Sequence, residues 1–184
     1  MRDTDLYRQL LGLEKPWTVD RVELDVKQQR VDVFAKHEKS KAWTCPECNK
    51  PFGLHDHDEE RVWRHLDSCG FQTFLHARIP RVSCPEHGVR QVRVSWAEPK
   101  ARFTALFERF AIDVLLETSI TGATAILRIS WDEAHHIMER AVARGMARRP
   151  HMVPKHLGID EKSLAKGQRY AAMVCDLERG HVID

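Results

Sequence analysis

The sequence predicts an α+β protein in which a small β-rich, metal-binding domain precedes a helical domain, and further strands follow. Cysteine, histidine, proline and glycine are concentrated between residues 43 and 96, where short alternating stretches favour strands. From Lys100 to about Arg144 apolar residues recur at three-to-four spacing, which favours helices. Alternation returns after Pro154. We therefore predict domains at residues 1–97, 98–147 and 148–184.

The elements are expected in a definite order. A short amphipathic helix near residues 4–11 precedes a hairpin, whose strands lie near 19–26 and 31–35. In the metal-binding region, 71–79 and 89–94 are the expected strands. A helix of about 15 residues follows, then helices over 121–127 and 131–143 and a basic linker at 145–154. Strands are expected near 156–160, 170–176 and 181–183, with turns at 166–167 and 179–180.

Composition excludes several classes of protein. A hydrophobic content of 42% with 30% charged residues is typical of a globular chain and not of a disordered one. No apolar run reaches the roughly 18 residues that a membrane span needs, and no signal peptide begins the chain, so we expect a cytoplasmic protein without a membrane partner. Residues 61–155 carry 15 Lys and Arg against 9 Asp and Glu, as a polyanion-binding segment would.

Two short motifs predict a metal site. Cys45 and Cys48 form a CxxC, and Cys84 and His87 form a CxxH. Two residues between ligands allow one tight turn to aim both at a single tetrahedral ion, and four protein ligands leave no open coordination position. The pattern therefore indicates a structural zinc. An alternative set replaces the second pair by His65 and Cys69, which lie four residues apart.

A helix-turn-helix is predicted over residues 121–143, with the turn at 128–130. Ser130 followed by Glu133 is a capping box that marks the start of the second helix. In such a motif the second helix lies in the DNA major groove, and its first turns contact base edges. A three-helix bundle that serves as a core or a dimer surface is the alternative interpretation. The candidate DNA-binding residues are Ser130, Trp131, His135, His136 and Arg140.

Longer stretches carry a family resemblance. The segments WRHLDSCGFQTFLHARIPRVSCPEHG, VSWAEPKARFTALFE and HLGIDEKSLAKGQRY, with the helix-turn-helix between the last two, occur in this order. This order resembles the ISL-three group of bacterial insertion-sequence transposases, from about Val22 to the last residue. The resemblance implies a zinc-binding domain and a helix-turn-helix that bind the terminal inverted repeats of an insertion sequence in double-stranded DNA.

The resemblance also implies the first strands of an RNase H-like DDE catalytic domain, which uses Mg²⁺ or Mn²⁺. Cys45, Cys48 and Cys84 match the family's zinc ligands, His87 stands at the fourth ligand position, and Asp160 matches the first catalytic aspartate. The second and third catalytic acids are expected beyond Asp184, so we expect a truncated and catalytically incomplete transposase. The resemblance also implies a bacterial protein associated with the nucleoid, and it is compatible with a homodimer.

Two other functions compete with this interpretation. One is a non-enzymatic regulator that binds DNA through the zinc domain and the helix-turn-helix. The other is a zinc-stabilised protein-interaction module, which the basic middle segment disfavours. The strands after residue 156 discriminate between them, because a regulator has no use for the beginning of a catalytic domain.

Overall fold

The computed structural model describes residues 2–38, 42–149, 153–165 and 169–183. It is a mixed α+β protein whose described part contains four helices and a strand-rich metal-binding region. The chain divides into two compact units, Met1–Ala141 and Val142–Asp184. The helices of the described part do not combine the length and apolar character that crossing a membrane requires.

The first unit is built on a five-stranded sheet. Helix α1 (Asp3–Leu10) leads into the hairpin strands β1 (Trp17–Asp25) and β2 (Arg30–His37), which pair antiparallel as predicted. A small hairpin, β3 (Trp43–Thr44) and β4 (Pro51–Phe52), precedes the long strands β5 (Leu54–Ser68) and β6 (Phe71–Cys84) and the short β7 (Gly88–Gln91). The sheet order is β1-β2-β6-β5, with β7 on β6, and β2 runs parallel to β6.

Strand β5 is the longest strand that the sequence analysis did not name. Its first half is charged and its pairing with β6 shifts register at three places, so no regular alternation marks it. Its second half is different, since Trp63, Arg64 and His65 are all buried. The long β5–β6 ribbon therefore contributes many of the buried side chains of this unit, and the polar start of β5 remains at the surface.

A cluster of tryptophans fills the core between the sheet and the metal-binding region. Trp17 and Trp96 meet edge to face with ring centroids 4.8 Å apart, and Trp63 meets Trp96 at 5.7 Å. Each indole is at most 5% exposed. Because removing a buried Trp side chain typically costs about 3–5 kcal/mol, this cluster is a major source of stability.

The helical part begins with α2 (Ala105–Glu117), capped by Thr104, whose hydroxyl accepts from the Phe107 N–H. Helix α3 (Ile120–Leu127) is capped in the same way by Ser119, and α4 (Trp131–Arg148) follows. The predicted linker at 145–154 is wrong in its first residues, because α4 continues through Gly145 to Arg148. A helical glycine costs only about 1 kcal/mol, and the good helix formers after it offset that cost. A second core joins these helices: Phe103, Phe107, Ala111, Ala123, Leu127, Ile137.

The second unit contains a three-stranded antiparallel sheet of order β10-β9-β8, formed by β8 (Leu157–Ala165), β9 (Arg169–Asp176) and β10 (His181–Val182). The predicted turn at 166–167 lies outside the described residues. The turn at 179–180 is present, and Asp176 organises it by accepting from the backbone N–H groups of Glu178 and Arg179. The hydrogen bond from Arg179 holds the pKa of Asp176 below its usual value.

A buried histidine joins the sheet to the helical part of the first unit. His65 Nδ1 lies 2.9 Å from the hydroxyl oxygen of Thr104, the residue that caps α2. That oxygen also accepts from the Phe107 N–H, so the Thr104 hydroxyl links the imidazole to the start of α2. Burial, followed by the neighbouring Arg64 guanidinium, lowers the pKa of His65 to about 4.

This lowered pKa predicts a loss of stability in mild acid. The unfolded chain takes up a proton on this histidine near pH 6.5, whereas the folded chain resists protonation down to about pH 4. The contribution of His65 is therefore complete above pH 6.5 and is lost as the pH falls through this window, by roughly 3 kcal/mol. Urea unfolding across the window should show a steeper loss for wild type than for His65→Gln, which cannot titrate. Parallel curves would contradict this role.

Candidate zinc centre and nucleic-acid interface

Four candidate ligands converge at one end of the sheet. Cys45 and Cys48 lie in the turn between β3 and β4, which is closed by hydrogen bonds from Cys45 N to Lys50 O and from Asn49 N to Cys45 O. Cys84 ends β6, and His87 lies in the turn before β7. One ligand atom from each of these four residues lies within 4.8 Å of the others. Two short hairpin turns therefore face each other, as in a zinc ribbon.

The distances within the cluster fit a tetrahedral zinc. Cys48 Sγ lies 3.8 Å from Cys84 Sγ, and Cys84 Sγ lies 3.4 Å from His87 Nδ1. With Zn–S bonds of about 2.3 Å and a Zn–N bond of about 2.0 Å, a tetrahedron requires about 3.8 Å and about 3.5 Å. The backbone N–H of Cys48 also points at the Cys45 sulfur and lowers the pKa of that thiol, which favours the thiolate that binds metal.

The structure does not bring the alternative ligands into this cluster. His65 is buried against Thr104, and Cys69 is exposed in the β5–β6 turn. His76 is likewise engaged elsewhere, with Nε2 2.6 Å from Asp32 Oδ1 and Nδ1 3.2 Å from Glu60 Oε1. Among the described residues, Cys45, Cys48, Cys84 and His87 form the only group with the geometry of a metal site.

The predicted capping box of the helix-turn-helix is confirmed. Glu133 N donates to Ser130 Oγ at 3.2 Å, and Ser130 N donates to the Glu133 carboxylate at 2.9 Å. The Glu133 carboxylate is thus held by the backbone at the start of α4 and by Arg102 at 3.8 Å. The Ser130 hydroxyl is hydrogen-bonded to Glu133 in the first turn of α4. Ser130 therefore caps the helix, and its hydroxyl is not free to contact a base.

The other predicted DNA-binding residues divide into two groups. Trp131 is 52% exposed at the first turn of α4 and stacks on His135, with ring centroids 5.0 Å apart. His136 is also exposed. Arg140 instead donates to buried Glu108 of α2 at 2.6 Å, and this ion pair ties α4 to α2. The Arg140 guanidinium, which we named as a candidate DNA contact, is therefore already engaged inside the helical part.

The turn of the helix-turn-helix contains a contact that the sequence did not indicate. Arg128 ends α3 in the left-handed conformation, with φ 56°, where glycine is usual. Its guanidinium binds Asp67 and donates to Gly70 O at 3.0 Å, both in or next to the β5–β6 turn. Asp67 also binds Arg64. These contacts offset the strain of a left-handed arginine and fix the turn on the sheet.

Asp160, the predicted catalytic residue, lies in the middle of β8 opposite Met173. Its side chain is exposed, and one oxygen accepts from the Glu161 N–H at 2.9 Å. Asp176 lies at the end of the β8–β9 ladder, opposite Leu157. Its side chain accepts hydrogen bonds from the backbone of the turn that follows β9. The second unit thus presents a carboxylate at the position that the family resemblance assigned to the first catalytic acid.

Two stretches of the chain match known domain families. The zinc-finger family of transposases IS204/IS1001/IS1096/IS1165 matches residues 41–87, which include all four candidate ligands. The helix-turn-helix domain of transposase family ISL3 matches residues 92–142, which include α2 and α3. The chain carries the zinc-finger and helix-turn-helix domains of ISL3-family transposases.

Individual relatives agree with this family. The transposase for insertion sequence element IS1557 of Mycobacterium tuberculosis is 29% identical over 189 residues, covering 100% of this chain and 43% of that protein. The transposase for IS1001 of Bordetella parapertussis is 25% identical over 179 residues, covering 96% and 43%. This chain therefore spans less than half the length of these two relatives. No solved structure matches it.

Proposed function

We propose that this chain is the end-binding part of an ISL3-type transposase and recognises the terminal inverted repeats of an insertion sequence in double-stranded DNA. The observation that carries the proposal is the joint presence, in one compact unit, of a four-ligand cluster and a capped helix-turn-helix. Each belongs to a domain family named for transposases. The proposal places the protein in the bacterial cytoplasm on the nucleoid, and a homodimer would bring two ends together.

Within this proposal, zinc holds the scaffold and takes no part in chemistry. A zinc bound by Cys45, Cys48, Cys84 and His87 would have four protein ligands and no open position. It would link the β3–β4 turn to the β6–β7 turn. The Arg93 guanidinium strengthens the same junction, since it donates to Pro46 O in the first turn at 2.8 Å.

Helix α4 is proposed to enter the major groove with its first turns. Trp131 and His135 form a stacked, solvent-facing pair at that end, and His136 is the next exposed side chain. An indole offers apolar contact to a thymine methyl group, and an imidazole can donate to or accept from base edges. Ser130 and Arg140 support the helix through its cap and through Glu108, so we assign them positioning roles.

The second unit is proposed to begin the RNase H-like catalytic domain, with Asp160 as the first of three acids. In a complete catalytic domain, Mg²⁺ or Mn²⁺ bound by these carboxylates would supply two-metal strand transfer. The three antiparallel strands and the exposed carboxylate on β8 support this assignment. Apolar side chains such as Ile159, 73% exposed, give the sheet a surface on which the rest of such a domain could pack.

Equilibrium binding to two duplexes tests the proposal, one carrying the terminal inverted repeat of the element and one of random sequence. Trp131→Ala and His136→Ala should weaken the preference for the terminal repeat by about 1–3 kcal/mol each and leave the melting temperature unchanged. Arg140→Ala should instead lower stability, by about 1.5–3 kcal/mol, because it removes a charged hydrogen bond at a buried carboxylate. Equal affinity of the wild type for both duplexes would refute end recognition.

A further inference from the structure

A basic cavity lies between the first metal-binding turn, β7 and the start of α2. It has a volume of about 450 Å³, and four cationic side chains line it: Arg61 of β5, Arg90 of β7, Arg93 and Lys100. Two acidic residues, Glu47 and Glu98, also line it, which leaves an excess of positive charge. The family resemblance did not point to this cavity, in which the fold brings Arg61 together with the cations of residues 90–100.

The three arginines of the basic cavity donate to backbone carbonyls and not to carboxylates. Arg61 donates to Ala101 O at 2.9 Å, Arg90 to Val89 O at 3.0 Å, and Arg93 to Pro46 O at 2.8 Å. Over the described part of the chain, none of the four cavity cations forms an ion pair. Other arginines of the same unit are neutralised, as Arg81 is by Asp56 and Arg128 by Asp67. A guanidinium has five N–H donors, so one carbonyl leaves most of them for an anion.

A short segment of the chain leads from the lining of the basic cavity towards α4, the helix proposed to enter the major groove. The segment that follows Lys100 contains Arg102, which is exposed and lies 3.8 Å from Glu133 in the first turn of α4. Lys100 and Arg102 are two residues apart, so their Cα atoms are within about 7.6 Å. Two cations of one short segment therefore link the cavity to the end of α4 that is proposed to contact bases.

We infer that the basic cavity binds a phosphodiester group of the DNA backbone beside the bases that α4 contacts. The inference rests on the proposed function and gives it a second contact surface. Arg90, Arg93 and Lys100 are exposed to water, where a single small anion would be held weakly. On DNA the same cations release condensed counterions, so a phosphate backbone is the anion that this arrangement favours. Such contacts fix the register of the protein on the duplex.

The test is the salt dependence of binding by zinc-loaded protein to two fluorescein-labelled duplexes, one of random sequence and one carrying the terminal inverted repeat. The variant is Arg90→Ala combined with Lys100→Gly. Lys100 has φ 62°, so glycine removes the charge and fits the backbone. Arg93 is left in place because it supports the metal-binding turn. The matched control replaces two exposed cations far from the cavity in sequence, Arg8→Ala with Lys27→Ala.

The cavity variant should lose about one unit of the slope of log K against log salt for each cation removed, about two units in all. Its affinity should fall on the order of tenfold at low salt, by the same factor for random and terminal-repeat duplexes. The control should keep the wild-type slope, and zinc content and melting temperature should match in all three proteins. An unchanged slope in the cavity variant would overturn the inference and leave the proposed function standing. A wild type that binds neither duplex would overturn both.

Discussion

Replacing Cys45, Cys48 or Cys84 with Ser should remove zinc from the protein and unfold the metal-binding region. Serine is a poor zinc ligand, and three remaining ligands cannot close the tetrahedral site. Binding of a structural zinc typically supplies about 10–16 kcal/mol at neutral pH, which exceeds the net stability of most domains. We expect elemental analysis to find one zinc per wild-type chain and essentially none in these variants.

The effect should spread beyond the ligands into the tryptophan core. The β3–β4 hairpin has only two residues in each strand, so little else holds it against β6. Trp43, at its start, is 8% exposed and packs against Trp17 at 6.2 Å. Loss of zinc should therefore expose Trp43, shift the tryptophan fluorescence to longer wavelength and lower the melting temperature by about 10 °C or more.

Two variants serve as controls for this prediction. Cys69→Ser changes an exposed cysteine in the β5–β6 turn, outside the cluster, and should keep full zinc content. His87→Cys replaces one zinc ligand by another and should also retain metal, because four-cysteine sites are a common structural type. A zinc-free wild type that is well folded would refute the site. Zinc loss in the Cys69 variant would place the ligands elsewhere.

Local chemistry explains which parts of the structure could be predicted from the sequence. The CxxC and CxxH spacings each reflect the geometry of a single tight turn. The four candidate ligands that these motifs predicted are the four that converge in the structure. The capping box follows from hydrogen bonds across three residues, and it marked the start of α4 correctly. The β1–β2 hairpin also followed from alternation over neighbouring stretches.

Contacts between distant segments could not be predicted in this way. The parallel pairing of β2 with β6 joins strands about forty residues apart, and nothing local selects it. Arg140 was expected to face DNA because helix periodicity placed it outward, yet the helix packing brings it to buried Glu108, 32 residues earlier. The basic cavity is another such case, since Arg61 of β5 joins the cations of residues 90–100 only in the folded chain.

In a transposase that contains this chain and a complete catalytic domain, Asp160→Asn should abolish strand cleavage and leave DNA binding intact. Asparagine keeps the size of the side chain and its place in β8, but it removes the negative charge. Two divalent ions must be held by several carboxylates at roughly 3.5–4 Å separation, one activating the attacking oxygen and one the leaving oxygen. Losing one of these ligands should slow cleavage on the order of a thousandfold or more.

A neighbouring carboxylate provides the control. Glu161 is adjacent in β8, and successive side chains of a strand point to opposite faces of the sheet. Glu161→Gln removes the same charge from the other face and should leave cleavage near the wild-type rate. Both variants should bind the terminal repeats as the wild type does, since Asp160 and Glu161 belong to the second unit. Equal loss of cleavage in the two variants would point to a general effect of charge on the sheet.

The 184-residue chain itself should bind terminal-repeat DNA without nicking or joining it in Mg²⁺ or Mn²⁺. We predict Asp160 as the first catalytic acid, and a single carboxylate usually anchors no more than one Mg²⁺. Asp176 does not compensate, because its oxygens are used by the backbone N–H groups of its own turn and by Arg179. Incubating the purified chain with supercoiled and end-labelled DNA measures this directly. Cleavage that persists in the Asp160→Asn chain would refute both the catalytic assignment and the need for further acids.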